Sequence, residues 1–266
     1  MPYINPKYWM PESPFDVFFL DWDSTVSLIE GIDFLASMNG VAEQVHAITQ
    51  RCMATTGLTI DDYKKRLDFI KPTKNQIQQL AQAYSAHLAP GARDTIKLLL
   101  GLGKTLYVLS GGIKEAIVPL AQELGISPSS VLAVDVYFNN SGVYTGFNEQ
   151  SELVQANGKS KQIVKALKAN ERSLLLGDGF TDWEAQSTVT RFVGYAGLKP
   201  KIWVQDHADF YISQTCILPL LALGLTDEEQ IRLKREDKIF YEQGVADVKN
   251  GFVLIKEYNN VRHSNS

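Results

Sequence analysis

Cysteine is nearly missing from this chain. Among 266 residues there are two, Cys52 and Cys216, far apart and without metal-ligand spacing. That excludes a disulfide scaffold and suits a reducing compartment, so the expected location is cytoplasmic. Basic blocks are missing too. Lys plus Arg number 26 against 30 Asp plus Glu, a formal net charge of −4. No electrostatic footprint points to nucleic acid or to an anionic membrane surface as a partner. Long apolar runs are absent: the early run 17–20 is closed by Asp16 and Asp21, too short for a signal core or a membrane helix. No GxGxxG follows that run, which argues against a dinucleotide site. What is present is ordinary for a globular chain, with 45% hydrophobic and 21% charged residues, a balance that excludes general disorder.

Residues 15–20, 104–109 and 173–176 are short apolar runs, and 191–195 repeats the pattern more weakly. Each reads as a strand covered on both faces, which needs no alternation. The first three end in DWDST, SGG and GDGFTD. Helical spacing occupies 92–102, 113–124 and 159–168; Pro119 in the second predicts a kink or a delayed start. Alternating strand and helix predicts an α/β parallel sheet, whose ligands bind beyond the carboxyl ends of the strands. Segment 30–88 is longer than the dozen or so residues a crossover needs, and it reads as a helical cap inserted after the first strand. Thr59-Ile-Asp-Asp62 marks a helix start inside it and Pro72 a stop. Residues 131–138, then NNSG, then VYTGF predict a hairpin. Thr226-Asp-Glu-Glu229 predicts a capping box opening one charged helix to about residue 242. The expected organisation is an irregular arm (1–14), a core (15–29 and 89–215), the cap (30–88) and a C-terminal helical extension and tail (216–266).

Four polar groups carry the chemistry. Asp21 and Asp23 lie two residues apart at a strand end. An ionised Asp can attack phosphorus directly, and a second carboxyl can protonate the departing alkoxide. Ser110-Gly111-Gly112 offers a hydroxyl and freed backbone N–H groups for a phosphoryl oxygen. Lys159 supplies a cation. Asp178 and Asp182, among glycines, suit a hard divalent ion. Each group alone also fits a plainer reading: a strand-end turn, a surface lysine, or Thr181-x-x-Glu184 as a capping box. Their joint order places all of them in one cleft.

Together these motifs resemble the haloacid dehalogenase (HAD) superfamily of phosphatases, with a Rossmannoid parallel sheet core and an inserted helical cap. FLDWDSTVSLIEGIDFLA, RLDFIKPT, VLSGGIKEAIVPLAQELGI, GKSKQIV and LLLGDGFTDWEAQ resemble its phosphoserine phosphatase family, over about residues 15–212. The resemblance implies Asp21 as nucleophile and Asp23 as general acid/base. It implies Mg²⁺ held by Asp21, the Asp23 backbone oxygen, Asp178 and Asp182. Ser110, Gly111, Lys159 and Thr181 would bind the phosphoryl group. Glu30 would meet the substrate ammonium and Arg66 its carboxylate. The implied partner is a small phosphorylated metabolite, phosphoserine, and a homodimer is a further expectation. Val134, Ile60, Ala54 and Lys201 depart from the family pattern, and Phe180 and Trp183 are bulkier than usual in the metal loop. These departures keep another small phosphomonoester as an alternative substrate, with a non-catalytic binding role behind it. Residues 216–266 have no counterpart in the resemblance.

Overall fold

The computed structural model describes residues 5–53 and 59–256. Ala54 and the terminal VRHSNS lie outside the described residues. In chain order, β1 (Val17–Leu20) is followed by α1 (Gly31–Met38), α2 (Ala42–Met53), α3 (Ile60–Ile70) and α4 (Lys74–Ala86). Then come α5 (Ala92–Gly101), β2 (Thr105–Ile113), α6 (Lys114–Glu123), β3 (Val131–Val134), β4 (Val136–Phe138) and β5 (Tyr144–Phe147). The chain continues with α7 (Gly158–Ala166), β6 (Ser173–Gly177), α8 (Phe180–Glu184), β7 (Arg191–Tyr195), α9 (Ile202–His207) and β8 (Phe210–Ile212). It closes with α10 (Pro219–Gly224), α11 (Asp227–Ile231), α12 (Arg235–Lys249) and β9 (Val253–Ile255).

The central sheet runs β3-β2-β1-β6-β7-β8-β9. Every neighbouring pair is parallel except β8 with β9. The unbroken apolar run of β1 is explained by its position. Phe18 and Leu20 enter the core on one face of the sheet, and Val17 and Phe19 enter the core on the other. Each such phenylalanine contributes about 1.5–3 kcal/mol of burial free energy. Helices α1–α4 fill the segment between β1 and β2. Thr59 caps α3 by accepting from the Asp62 N–H at 3.3 Å, and Lys71, with φ 43°, ends it just before Pro72. The segment is tied to the sheet at its base: Ser27 Oγ donates to the Tyr84 carbonyl at 3.1 Å, and the Leu28 N–H donates to the His87 carbonyl at 2.8 Å. No helix among the described residues is long and apolar enough to cross a membrane.

Several expectations need correction. Residues 131–138 do not form one hairpin arm. β3 pairs with β2 in the central sheet, and only β4 pairs with β5. Val131, Ala133 and Val134 are buried and bring that stretch to the sheet edge. The charged C-terminal helix is two helices. Thr226 caps α11 through Glu229, but that helix ends at Ile231, and α12 starts afresh at Arg235. α6 starts directly after β2 with Pro119 inside it, so its start is not delayed. The arm is not wholly irregular: Pro6–Tyr8 form a 3₁₀ turn, and Trp9 is buried.

The amino ends of the strands are closed by the arm and the extension. Arg191 Nη1 donates to the Trp9 carbonyl at 2.7 Å and also to the Leu223 carbonyl. α10 is buried throughout and packs under α12, where a Cβ on Gly244 would fall 2.4 Å from the Leu218 carbonyl oxygen. Lys104 donates to the Phe15 carbonyl at 2.6 Å and pairs with Glu229, both side chains being buried. Removing one partner of such a pair strands a charge in an apolar setting. Glu229→Ala is therefore expected to lower unfolding stability by about 3–5 kcal/mol. Urea denaturation measures this, and an unchanged midpoint would show that the pair carries no weight.

Candidate active site

Three neighbouring strands deliver the polar groups. Asp21 follows β1, residues 110–112 lie in the last turns of β2, and Asp178 follows β6. β1 sits between the other two, so it is the switch point where a crevice opens beyond the carboxyl ends. SGG is not a loop beyond the strand, because β2 runs through it to Ile113.

Asp21 is buried. Its Oδ1 accepts from Lys159 Nζ at 2.7 Å and its Oδ2 from Thr25 Oγ1 at 3.3 Å. Lys159 also donates to Asp182 Oδ1 at 2.6 Å. Lysine in the first turn of a helix opposes the helix dipole, and here the side chain is turned inward, 7% exposed. A Cβ on Gly158 would lie 2.0 Å from the Glu152 carbonyl oxygen, so only glycine lets α7 start close enough. Burial alone lowers the Lys159 pKa, but the charges of Asp182 and Asp21 outweigh it and the net shift is upward.

Asp21, Asp178 and Asp182 each offer an oxygen, and these oxygens lie within 4.8 Å of one another. Lys201 Nζ donates to Asp178 Oδ2 at 2.7 Å. Even with two lysines in contact, burial and the Asp21 charge push Asp182 up to about 6 and Asp178 well above the carboxylate range. The cluster remains too anionic for its surroundings. Three buried carboxylates of this kind suit a hard divalent cation. Gly177 makes room for it, since a Cβ there would lie 2.1 Å from Asp182 Cγ.

Asp23 is held from three sides. Oδ1 accepts from the Gly31 N–H at 2.7 Å and from the Tyr84 hydroxyl at 2.7 Å. Oδ2 accepts from Ser110 Oγ at 3.1 Å, and Ser110 Oγ in turn accepts from the Gly112 N–H at 2.9 Å. Burial, then the Glu30 charge, raise the Asp23 pKa to about 7, against the hydrogen bonds from Tyr84 and Gly31. Burial and the Asp23 charge hold the Tyr84 phenol protonated, its pKa well above the usual value. Asp21 and Asp23 therefore sit in different settings, one ion-paired to a lysine and one held by neutral donors. Such a difference in setting can give two neighbouring carboxyls different chemical roles.

Glu30 stands exposed at the start of α1 with its carboxylate on Ser24 Oγ at 2.8 Å. Arg66 lies over the Tyr63 ring at 5.4 Å, and its Nε is buried without a hydrogen-bond partner. The Tyr63 hydroxyl is likewise buried and unpartnered, within reach of the Asp23 charge. Thr181 is exposed on α8 and does not cap it. Gly179 is the cap, its N–H bonded to Asp182 Oδ2 at 3.1 Å, while Glu184 accepts from the Asn157 N–H. Val134 is fully buried beside Ile113, and Ile60 opens α3. Gly111 has ordinary room for a Cβ. Gly112, which sequence reasoning did not single out, has none: its Cβ would sit 2.4 Å from Asp23 Oδ2 and 3.0 Å from Ser110 Oγ. Tyr84 was also missed, being 61 residues from the carboxylate it touches with no local signal to mark it.

A mostly parallel sheet with a helical insert after its first strand matches the solved structures of haloacid dehalogenase phosphatases. No protein-family model matches the chain. Mouse phosphoserine phosphatase is 33% identical over 201 residues, covering 74% of this chain and 89% of the mouse protein. A substrate-bound phosphoserine phosphatase structure superposes with a TM-score of 0.67 at 21% identity, covering 79% of this chain and 98% of that one. A HAD family hydrolase from Salmonella enterica serovar Typhi gives 0.70 at 19% identity, covering 81% and 73%. The chain belongs to the phosphoserine phosphatase family.

Gly112→Ala tests the geometry. Its methyl group must displace Asp23 or Ser110, and a misplacement near 1 Å costs on the order of a hundredfold in rate. Phosphatase turnover should fall by that amount while the circular dichroism spectrum is unchanged. Retained turnover would show that the close contact is not needed.

Proposed function

We propose that this chain hydrolyses L-phosphoserine to L-serine and phosphate through a phosphoaspartate at Asp21, with Mg²⁺ at Asp21, Asp178 and Asp182. The observation that carries the proposal is Lys159, whose one ammonium group spans Asp21 and Asp182 beside a separately held Asp23. Asp21 forms a bond to phosphorus as the bond from phosphorus to the seryl oxygen breaks. Asp23 gives its proton to that oxygen and is left anionic. In the second half, Asp23 takes a proton from water, the resulting hydroxide attacks phosphorus, and the Asp21 carboxylate is released. When bound, Mg²⁺ supplies charge to offset repulsion between the phosphoryl oxygens and the carboxylates. Lys159 neutralises the same charge from the protein side.

Glu30 and Arg66 are proposed as the selecting pair. An exposed carboxylate suits an ammonium group, and an arginine with a buried unpartnered Nε suits a carboxylate. Ser110 and the backbone at Gly111 would hold phosphoryl oxygens. Thr181 is proposed only as a neighbour of the metal loop, since it is exposed.

Phosphate release from phosphoserine, phosphothreonine and phosphoethanolamine, with and without Mg²⁺, tests the substrate. Phosphoserine should give the highest kcat/KM, and chelation should abolish turnover. Equal values across the panel would overturn the substrate assignment. Asp21→Asn should abolish turnover and covalent labelling by the phosphoryl group. Full activity in that variant would end the nucleophile assignment.

A further inference from the structure

The two oxygens of Asp23 are unequally occupied. Oδ1 takes two donors, the Gly31 N–H and the Tyr84 hydroxyl, each at 2.7 Å. Two donors fill the lone pairs of a carboxyl oxygen, so Oδ1 has no place for a proton. Oδ2 takes one, Ser110 Oγ, at 3.1 Å. Ser110 is a hydroxyl and can turn its hydrogen elsewhere, for example to a phosphoryl oxygen.

Tyr84 is built into this role. It is wholly buried on α4, and its ring meets Trp22 edge-on, with centroids 5.9 Å apart at 87°. Trp22 lies between Asp21 and Asp23 in the sequence. At the other side Gly31 opens α1, and a Cβ there would fall 2.1 Å from the Tyr84 hydroxyl oxygen and 3.1 Å from Asp23 Oδ1. Glycine at that position is what lets the hydroxyl reach the carboxylate.

We propose that Tyr84 is a positioning residue for the acid: with the Gly31 N–H it fills Oδ1 of Asp23, so that Oδ2 is the oxygen that carries the proton to the leaving alkoxide. The proposal rests on the aspartyl-phosphate reading above. In the step concerned, Asp21 bonds to phosphorus, the bond from phosphorus to the alcohol oxygen breaks, and the Oδ2 proton ends on that oxygen.

The test is kcat/KM, which covers events up to departure of the alcohol, for an alkyl phosphate and for p-nitrophenyl phosphate. Nitrophenolate leaves with little need of a proton. Tyr84→Phe keeps the ring on Trp22 and removes only the hydroxyl. It should lower kcat/KM on phosphoserine by on the order of ten- to a hundredfold, the weight of one hydrogen bond to a charged group. On p-nitrophenyl phosphate the loss should stay within about threefold. Gly31→Ala, which displaces the hydroxyl from the other side, should show the same split and carries the test should Tyr84→Phe not fold. Equal losses on both esters, or none on either, overturn the role of Tyr84. The wild-type panel separates this from the substrate assignment. If the wild type prefers phosphoethanolamine, only that assignment falls, and the split is read on phosphoethanolamine. A wild type inert towards every alkyl phosphate overturns the reaction itself and the role of Tyr84 with it.

Discussion

Like charges confined away from water repel strongly, and this site confines four carboxylates around one switch point. Lys159 makes the confinement possible. Its ammonium group lies 2.7 Å from Asp21 and 2.6 Å from Asp182, and Lys201 does the same for Asp178 at 2.7 Å. Burying one such charge without a partner costs several kcal/mol. Two lysines for four acids still leave an excess of negative charge, and that excess is the physical content of a cation site. At Asp23, where no lysine reaches, burial and then the nearby charge of Glu30 favour the protonated form.

The glycines around the cluster serve the same end. Gly112, Gly158 and Gly177 are each so near another residue that a methyl group would fall 2.0–2.4 Å from it. None has a positive φ, so backbone freedom is not their reason. They are required by packing: charged groups can be paired at hydrogen-bond distance only if the chains carrying them come within reach. Gly244 plays the same part at the opposite end of the sheet, where α12 crosses α10.

Much of this was legible in the sequence, for definite reasons. A strand covered on both faces leaves an unbroken apolar run, and β1, β2, β6 and β7 announce themselves that way. The alternation with helices implies a parallel sheet, and a parallel sheet gathers DWD, SGG and GDGFTD at one edge. Residues 131–138 were misread because a sheet-edge strand and a hairpin strand adjoin with only Asp135 between them. The α11–α12 break was hidden because charged residues on both sides mask the end of the first helix. Tyr84 and Lys201 could not be read as partners of named carboxylates, nor Gly112 as a close neighbour of one. Their roles lie in contacts across the fold, and no local pattern encodes which acid a distant side chain will meet. The masses of Phe180 and Trp183 were noted, but not their contact with Trp203 and His207 in a partly exposed aromatic cluster.

The way Asp23 is held says something about the insert as a whole. Its carboxylate is gripped by the sheet through Ser110 in β2, by the first residue of α1 and by Tyr84 near the end of α4. The latter two are the first and last of the four helices α1–α4, which precede α5 and β2. The end of α4 is also pinned to the loop after β1, by Ser27 and Leu28. The acid thus marks the joint between helices and sheet. A shift of the helices relative to the sheet cannot leave all three hydrogen bonds intact, because their donors belong to both bodies. Any movement of the insert against the sheet is then felt at Asp23 through one side chain, without any further moving part.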